Sequence, residues 1–293
     1  MTTEIKVLGT RGSVTTTRTK SGEPTRLFGG DTTSYVIQNG SDPIMVDMGT
    51  GSRFYGEGPL RMMAVFTHAH PDHVAGLGDF TPAYIPVSDI EIRASPEHLE
   101  SIALQYDAAG QVFPAGPNDF MKGIKRIAPI EKRWSYGDLE IESFPLNHPM
   151  GCYGYLISGE DGRVGIFADH EHERDLKKIG PEDSAIMKKM EGCDVAFVDG
   201  AYLPQEYDPK QVGYEGVLRV GWGHGVDIKA ARMALEAGVG RVYITHHSQE
   251  HGDTMMLNRE REIRKILGTD RVSFARQGEK ILLAPILNAN FNV

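Results

Sequence analysis

Only two cysteines, Cys152 and Cys193, occur in the 293-residue chain. Two thiols do not make a disulfide framework, and no Cys-x-x-Cys pair offers a structural metal site. Long apolar runs are missing too: stretches such as Met62-Met-Ala-Val-Phe66 are far too short to cross a bilayer. The N-terminal MTTEIKVLGT has no basic stretch leading into an apolar one, so export is not expected and a reducing, cytoplasmic setting is. Excess positive charge is also absent. At a net charge of -9 the chain opposes a polyanionic partner, because nucleic-acid affinity rests on cations that neutralise phosphates. The basic stretches Lys122-Gly-Ile-Lys-Arg126 and Glu131-Lys-Arg133 are short and mixed in sign, as a solvated surface is. Internal repeats, low-complexity tracts and linker-like composition shifts are lacking. These absences leave one domain over residues 1–293, a small-molecule substrate, no long nucleic acid and no membrane as the expectations.

Strand and helix signals run through the chain. Glu4–Leu8 reads as a strand entering a glycine turn, and Thr33–Gln38 and Pro43–Met48 as a strand pair joined by Asn39-Gly-Ser-Asp42. Arg61–Phe66 is a continuous apolar strand. Ser95 followed by Pro96 opens a helix, with Leu99, Ile102, Ala103 and Tyr106 on one face. Further strands are expected at 139–144, 153–157, 164–168, 195–198, 241–245, 272–274 and 280–283. Asp227 is placed as the cap of a helix to about Ala237, and a last helix is expected over about 255–267. Strands dominate early and helices interleave later, which suggests two packed sheets with helices outside.

The most concentrated signal is Phe66-Thr-His-Ala-His-Pro-Asp-His-Val-Ala-Gly76, with three histidines and an aspartate between positions 68 and 73. Two apart on extended chain, His68 and His70 point the same way and can hold one cation. Asp72 and His73, as the chain turns into a helix, face a neighbouring position and can hold a second. Zinc takes about four nitrogen, oxygen or sulfur ligands, so the cluster leaves both ions short. Completion needs one more histidine for each ion and a carboxylate between two dications about 3.5–4 Å apart. Of the eleven histidines, His148 and His246 lie at or just past strand ends, as Asp169 does, and these three supply the set. Without a cation, so many titratable groups beside a hydrophobic strand would stay undersatisfied. His98, His172 and His251 read as surface or satisfied core residues. Nitrogen and carboxylate ligands suit zinc, and also manganese or iron.

The His-x-His-x-Asp-His run resembles the signature of the metallo-β-lactamase fold superfamily, a four-layer αββα sandwich of α/β (α+β) class. Gly9-Thr-Arg-Gly-Ser13, Phe28-Gly-Gly-Asp-Thr-Thr-Ser34 and Met45-Val-Asp-Met-Gly-Thr-Gly51 resemble the opening strands of one branch, that of ribonuclease Z and the phosphoribosyl cyclic phosphate phosphodiesterases. Asn147-His-Pro-Met-Gly151, Phe167-Ala-Asp-His-Glu171 and Ile244-Thr-His-His247 resemble its later ligand motifs, and Gly223-His-Gly-Val-Asp-Ile its histidine-plus-helix segment. The resemblance implies His68, His70 and His148 on a first zinc, Asp72, His73 and His246 on a second, and Asp169 bridging them. It implies a non-ligand catalytic His224, leaves His170 and His247 either around the pocket or structural, and suggests a homodimer.

Two departures narrow the reading. Ribonuclease Z enzymes insert a tRNA-gripping arm between the positions of His148 and Asp169, an interval of only 21 residues here. The cyclic phosphodiesterase of phosphonate breakdown carries a cysteine-bound zinc near its N-terminus, and no cysteine precedes Cys152. The resulting expectation is hydrolysis of a small phosphodiester, cyclic ones included, by hydroxide formed between two divalent cations, with Asp72 accepting the water's proton. His224 would protonate the leaving alkoxide or bind the phosphate. Lactone, thioester or other acyl hydrolysis on the same site is the alternative, and a non-catalytic metal-containing sensor the third reading. Trp222 and Tyr202 are candidates for the pocket wall or the core. Residues 78–133, with Phe80, Tyr84, Tyr106, Phe113 and Phe120, are expected to wall the pocket.

Overall fold

The computed structural model describes residues 2–40, 42–106, 113 and 120–283. In chain order its strands are β1 (Glu4–Gly9), β2 (Ser34–Gln38), β3 (Ile44–Val46), β4 (Arg61–Val65), β5 (Asp89–Ala94), β6 (Ile124–Pro129) and β7 (Arg133–Tyr136). They continue with β8 (Leu139–Leu146), β9 (Cys152–Gly159), β10 (Gly162–Phe167), β11 (Val195–Asp199), β12 (Arg241–Thr245), β13 (Val272–Phe274) and β14 (Lys280–Leu282). Among the longer helices are α1 (Pro96–Gln105), α2 (Pro181–Met190), α3 (Asp227–Glu236) and α4 (Asp253–Leu267).

The strands form two seven-stranded sheets, ordered β14-β1-β2-β3-β4-β5-β6 and β13-β12-β11-β10-β9-β8-β7. Each sheet is antiparallel on one side and parallel on the other: β3 to β6 run parallel in the first, β10 to β13 in the second. Parallel strands covered on both faces read as unbroken apolar runs. β11, Val195-Ala-Phe-Val-Asp199, is buried throughout.

The inner faces pack against each other. Ile5, Val7, Tyr35, Ile37, Val46 and Met63 from one sheet share a core with Ile141, Tyr155, Ile157, Val164, Ile166 and Phe197 from the other. The outer face of the first sheet is covered by Val74, Leu77, Phe80, Ile102 and Tyr106. That of the second is covered by Ile186 and Met190 of α2, Ala230 and Ala234 of α3, and Met256 and Ile263 of α4. The architecture is the four-layer αββα sandwich expected.

Local details agree with the capping signals except at Asp227. The Ser95 hydroxyl accepts from the His98 amide at 3.2 Å and Pro96 opens α1. Val226, however, is the cap of α3, and Asp227 is its first residue. The Asp227 carboxylate is instead gripped by Arg259 of α4, at 2.7 and 2.8 Å, in a nearly fully buried fork-to-fork pair. A cap is a local device, whereas this partner lies 32 residues on.

Residues 78–133 also depart from expectation. They contribute β5 and β6 as well as packing: Phe80 and Tyr106 are core residues, and the Phe113 ring meets that of Tyr106 at a tilt, 5.3 Å between centroids. Tyr84 donates to the Gly78 carbonyl at 2.7 Å, and Phe120 is exposed. Their aromatic rings build the outer layer of the first sheet. The remainder of that segment, 107–112 and 114–119, lies outside the described residues.

Removing one partner of a buried ion pair strands the other charge in a medium that solvates it poorly. Arg259→Met is therefore expected to cost about 3–5 kcal/mol in urea unfolding, and Asp227→Leu added to it to recover most of that. A loss below about 1 kcal/mol would show the pair to be dispensable.

Candidate metal centre

In an α/β sheet the carboxyl ends of parallel strands open onto a crevice where ligands bind. Six strands deliver side chains to one such rim. Asp47 follows β3, His68 and His70 follow β4, His148 follows β8, Asp169 follows β10, Asp199 ends β11 and His246 follows β12. Asp72 and His73 sit in a single helical turn, Pro71–Val74, just after His70.

The seven expected ligands meet there. Asp169 is the hub: its Oδ2 lies 3.7 Å from His68 Nε2, 3.5 Å from His148 Nε2 and 3.3 Å from His246 Nε2, and its Oδ1 lies 3.3 Å from His73 Nε2. Asp72 Oδ2 stands 3.5 Å from His73 Nε2 and 3.2 Å from His246 Nε2. His70 completes the other side, its ring 4.5 Å from that of His68 and 5.0 Å from that of His148. His68, His70 and His148 form one close group, Asp72, His73 and His246 another, and His68, His73 and Asp169 a third that joins them.

The protons of these rings are set from behind. The buried Asp47 carboxylate accepts from the Thr67 amide at 2.7 Å, the Thr67 hydroxyl at 2.9 Å and His73 Nδ1 at 2.8 Å. Because the Thr67 proton goes to Asp47, its oxygen accepts from His68 Nδ1, 3.0 Å away. His148 Nδ1 donates to the Pro149 carbonyl at 2.8 Å. His68 and His148 thus turn an Nε2 lone pair to the centre, and Nε2 of His73 faces it too. Asp72 is held in turn by the Ser13 amide at 2.7 Å.

The donor set fits divalent metal. His68 Nε2, His73 Nε2, His148 Nε2 and Asp169 Oδ1 are buried and have no hydrogen-bond partner. Four buried polar atoms aimed at one another without hydrogen bonds are costly unless something cationic lies between them. Burial keeps His68 neutral, well below the usual imidazole range, and pushes His148 down to about 4. Burial opposes charge on Asp169 as well, but His246, His73 and His68 outweigh it and hold the carboxyl well below its usual range. At His73 and His246 burial loses to the adjacent carboxylates, Asp169 first; His73 is raised strongly and His246 to about 9.

Backbone strain gathers at the same place. Among the described residues, Ser13, Asp47, Met150 and His246 are the non-glycine residues with positive φ, at 62°, 59°, 66° and 59°. Each such residue costs roughly 1–3 kcal/mol and persists where surrounding structure imposes it. Gly12 must be glycine, since a Cβ there would lie 2.1 Å from the His246 ring.

His224 lies beside the cluster, and with His148 and Asp169 it forms another close group. Its Nδ1 is 3.0 Å from Asp199 Oδ2 and 3.8 Å from Asp169 Oδ2, and its ring stacks on His246 at 4.4 Å. Asp199, fully buried, was not anticipated from sequence, nor was Asp47 as the partner of His73. Both are aspartates closing apolar strands, the same context that marked Asp169.

The remaining histidines sort by their partners. His247 is structural: its Nε2 donates to the Ala275 carbonyl at 2.8 Å and its ring stacks on Phe274. His170 Nδ1 accepts from the Asn147 amide at 3.1 Å. His98, His172 and His251 are buried, and His251 is satisfied by Glu206 at 2.9 Å. His170, His172 and Asp183 form a further close group, where Lys229 already supplies the cation, 2.9 Å from Asp183. Tyr202 is nearly buried 5.9 Å from the His224 ring, whereas Trp222 is half exposed, with Arg219 over both rings.

Residues 59–247 match the model of the beta-lactamase superfamily domain. The ribonuclease Z of Halobacterium salinarum is 29% identical over 212 residues, covering 70% of this chain and 63% of that protein, so the chain spans less than two thirds of that relative. The ribonuclease Z of Metallosphaera sedula is 24% identical over 274 residues, covering 78% of this chain and 87% of that one. Among solved structures, the metallo-beta-lactamase fold protein YhfI of Bacillus subtilis superposes with a TM-score of 0.69 at 18% identity, covering 96% of this chain and all (100%) of that one. A diphosphatase of the PhnP family superposes with a TM-score of 0.67 at 16% identity, covering 96% and 97%. The chain belongs to the beta-lactamase superfamily, a hydrolase family, and has its metallo-β-lactamase fold.

Proposed function

We propose that this protein hydrolyses a small phosphodiester, cyclic ones included, with two divalent metal ions. His68, His70 and His148 would hold the first ion, Asp72, His73 and His246 the second, and Asp169 would bridge them. The observation that carries this reading is the set of unpartnered, buried ring nitrogens and the Asp169 oxygen converging on one rim, with His224 alongside. When bound, such a pair of ions lowers the pKa of a shared water and offsets the charge on phosphate oxygens.

The chain's own groups do the rest. Asp72, anchored by Ser13, is placed to accept a proton from the attacking water. His224 takes its orientation from Asp199, whose carboxylate faces Nδ1 at 3.0 Å and leaves the other ring nitrogen directed away from it. That makes His224 the donor to the departing oxygen. An alkoxide leaving group needs such a proton far more than the thiolate of a thioester does. The ribonuclease Z relatives and the diphosphatase neighbour support phosphorus esters. A small substrate is supported by the interval between His148 and Asp169, which holds only β9 and β10 and leaves no room for a tRNA-binding arm. None of the helices among the described residues is long and apolar enough to cross a membrane.

Metal ligation must displace the protons that the metal-free arrangement holds on His73 and His246. His246, raised from 6.5 to about 9, lends the metal-free protein stability that is complete below about pH 6.5 and lost as pH rises through about 9. Zinc added to metal-free protein in weak buffer at neutral pH is expected to bind two ions per chain and release on the order of two protons. One ion, or no acid release, would overturn the dinuclear reading.

His224→Ala and Asp199→Asn are each expected to retain both metals and to lower turnover of an alkyl phosphodiester by about 10²–10⁴-fold. Unchanged turnover in both would remove the pair from the mechanism. A panel of bis(p-nitrophenyl) phosphate, lactones and thioesters decides the substrate class. Turnover confined to the carbonyl compounds would replace the phosphodiester reading, and none at all would favour a sensor.

A further inference from the structure

Glu171 stands two residues beyond Asp169, is more than nine-tenths buried, and has no part in the ligand set. Its side chain makes three short hydrogen bonds. Oε1 accepts from the Gly221 amide and the Tyr207 hydroxyl, both at 2.7 Å, and Oε2 accepts from the Gly223 amide at 2.7 Å. The two glycines flank Trp222 and precede His224. Both have positive φ, 86° and 89°, so the pinned segment Gly221–Gly223 turns Trp222 outward, where it is half exposed. The Glu171 backbone is fixed as well: its amide donates to the Asn147 carbonyl at 2.8 Å, and Asn147 Nδ2 donates to the Glu171 carbonyl at 2.8 Å. One residue thereby ties together the segments that carry His148, Asp169 and His224.

The fit at this junction is tight. A Cβ on Gly223 would lie 2.4 Å from His148 Cδ2 and 2.5 Å from Pro149. The loop therefore rests directly on a ring of the metal site, and its distance from that ring is set by the carboxylate behind it. Asp199 orients the His224 ring, but it does not hold the loop; among the described residues the loop's amides at 221 and 223 are bound by Glu171. Hydrogen bonds to a buried carboxylate are the strong ones and hold geometry in place.

We propose that Glu171 is a positioning residue for His224: its carboxylate clamps the Gly221–Gly223 backbone so that the imidazole reaches the leaving oxygen. In assigning His224 that task the inference rests on the phosphodiester reading, while the clamp itself does not. Glu171→Gln is nearly the same size, yet it turns an amide N–H group toward one of the two glycine amides, which can only donate. The loop then loses at least one of its two anchors.

Two measurements on full-length, metal-loaded protein test this. Amide hydrogen exchange in residues 220–225 is expected to quicken at least about tenfold in Glu171→Gln, with metal content unchanged. A leaving-group series gives the second readout. Turnover of an alkyl phosphodiester is expected to fall at least about tenfold more than turnover of a 4-nitrophenyl one, because nitrophenolate departs without an acid. Tyr207→Phe, which removes one anchor of the carboxylate and keeps the core volume, is expected to shift both readouts the same way by less. Exchange and leaving-group dependence that stay at wild-type values in both variants would overturn the clamp. So would a uniform loss across leaving groups with a rigid loop. If the wild type hydrolyses no phosphodiester, the phosphodiester reading falls, and the exchange measurement still decides the clamp.

Discussion

A buried carboxylate ringed by imidazoles is the constraint around which this structure is arranged. Asp169 follows a strand that is covered on both faces, and histidine ring nitrogens approach it to 3.3–3.7 Å from four directions; those of His68, His73 and His148 have no hydrogen-bond partner. Lone pairs facing lone pairs repel, and water cannot reach them to compensate. Only positive charge at the centre reconciles the set, whether as protons on His73 and His246 or as metal ions that displace them.

The fold supplies the rigidity that such a centre requires. Each sheet sends the ends of its parallel strands to the same rim, and each also sends a buried aspartate whose task is to orient one histidine. Asp47, after β3, holds His73 at 2.8 Å; Asp199, ending β11, holds His224 at 3.0 Å. The two sheets therefore contribute matching devices, one behind a candidate ligand and one behind a candidate acid. Behind them lies the shared core, and Tyr35 of the first sheet bonds to Thr245 of the second immediately before His246. Left-handed backbone at Asp47, Met150 and His246 shows that packing, rather than local preference, sets the ligand positions.

How much of this could be read beforehand differs by residue. His68, His70, Asp72 and His73 are neighbours in sequence, so their shared purpose needs no fold to be seen. His148, Asp169 and His246 were legible because each stands at a strand end, and strand ends on one rim converge. Asp47 and Asp199 occupy that same context, in Met45-Val-Asp47 and Phe197-Val-Asp199, but an aspartate that touches only a histidine leaves no spacing pattern. Glu171 was quoted in sequence only as part of the Asp169 motif; its three donors come from loops 36 to 52 positions away. Asp227 was misread as a cap because its partner, Arg259, is equally remote. In residues 89–94 the alternation Asp-Ile-Glu-Ile-Arg signals a strand, but the aromatic residues around it drew attention to a pocket.

Chemistry and local form were determined by the sequence alone: which groups could ligate, which runs were strands, which residues began α1, and a net charge of -9. These depend on side-chain type and on periodicities of two and 3.6 residues, and both are written along the chain. Tertiary structure alone decided which aspartate serves which histidine, which ring nitrogen faces the centre, and that a glutamate two residues beyond Asp169 grips the loop of His224. Those choices are made by hydrogen bonds between distant segments, whose geometry exists only after the two sheets have closed on each other.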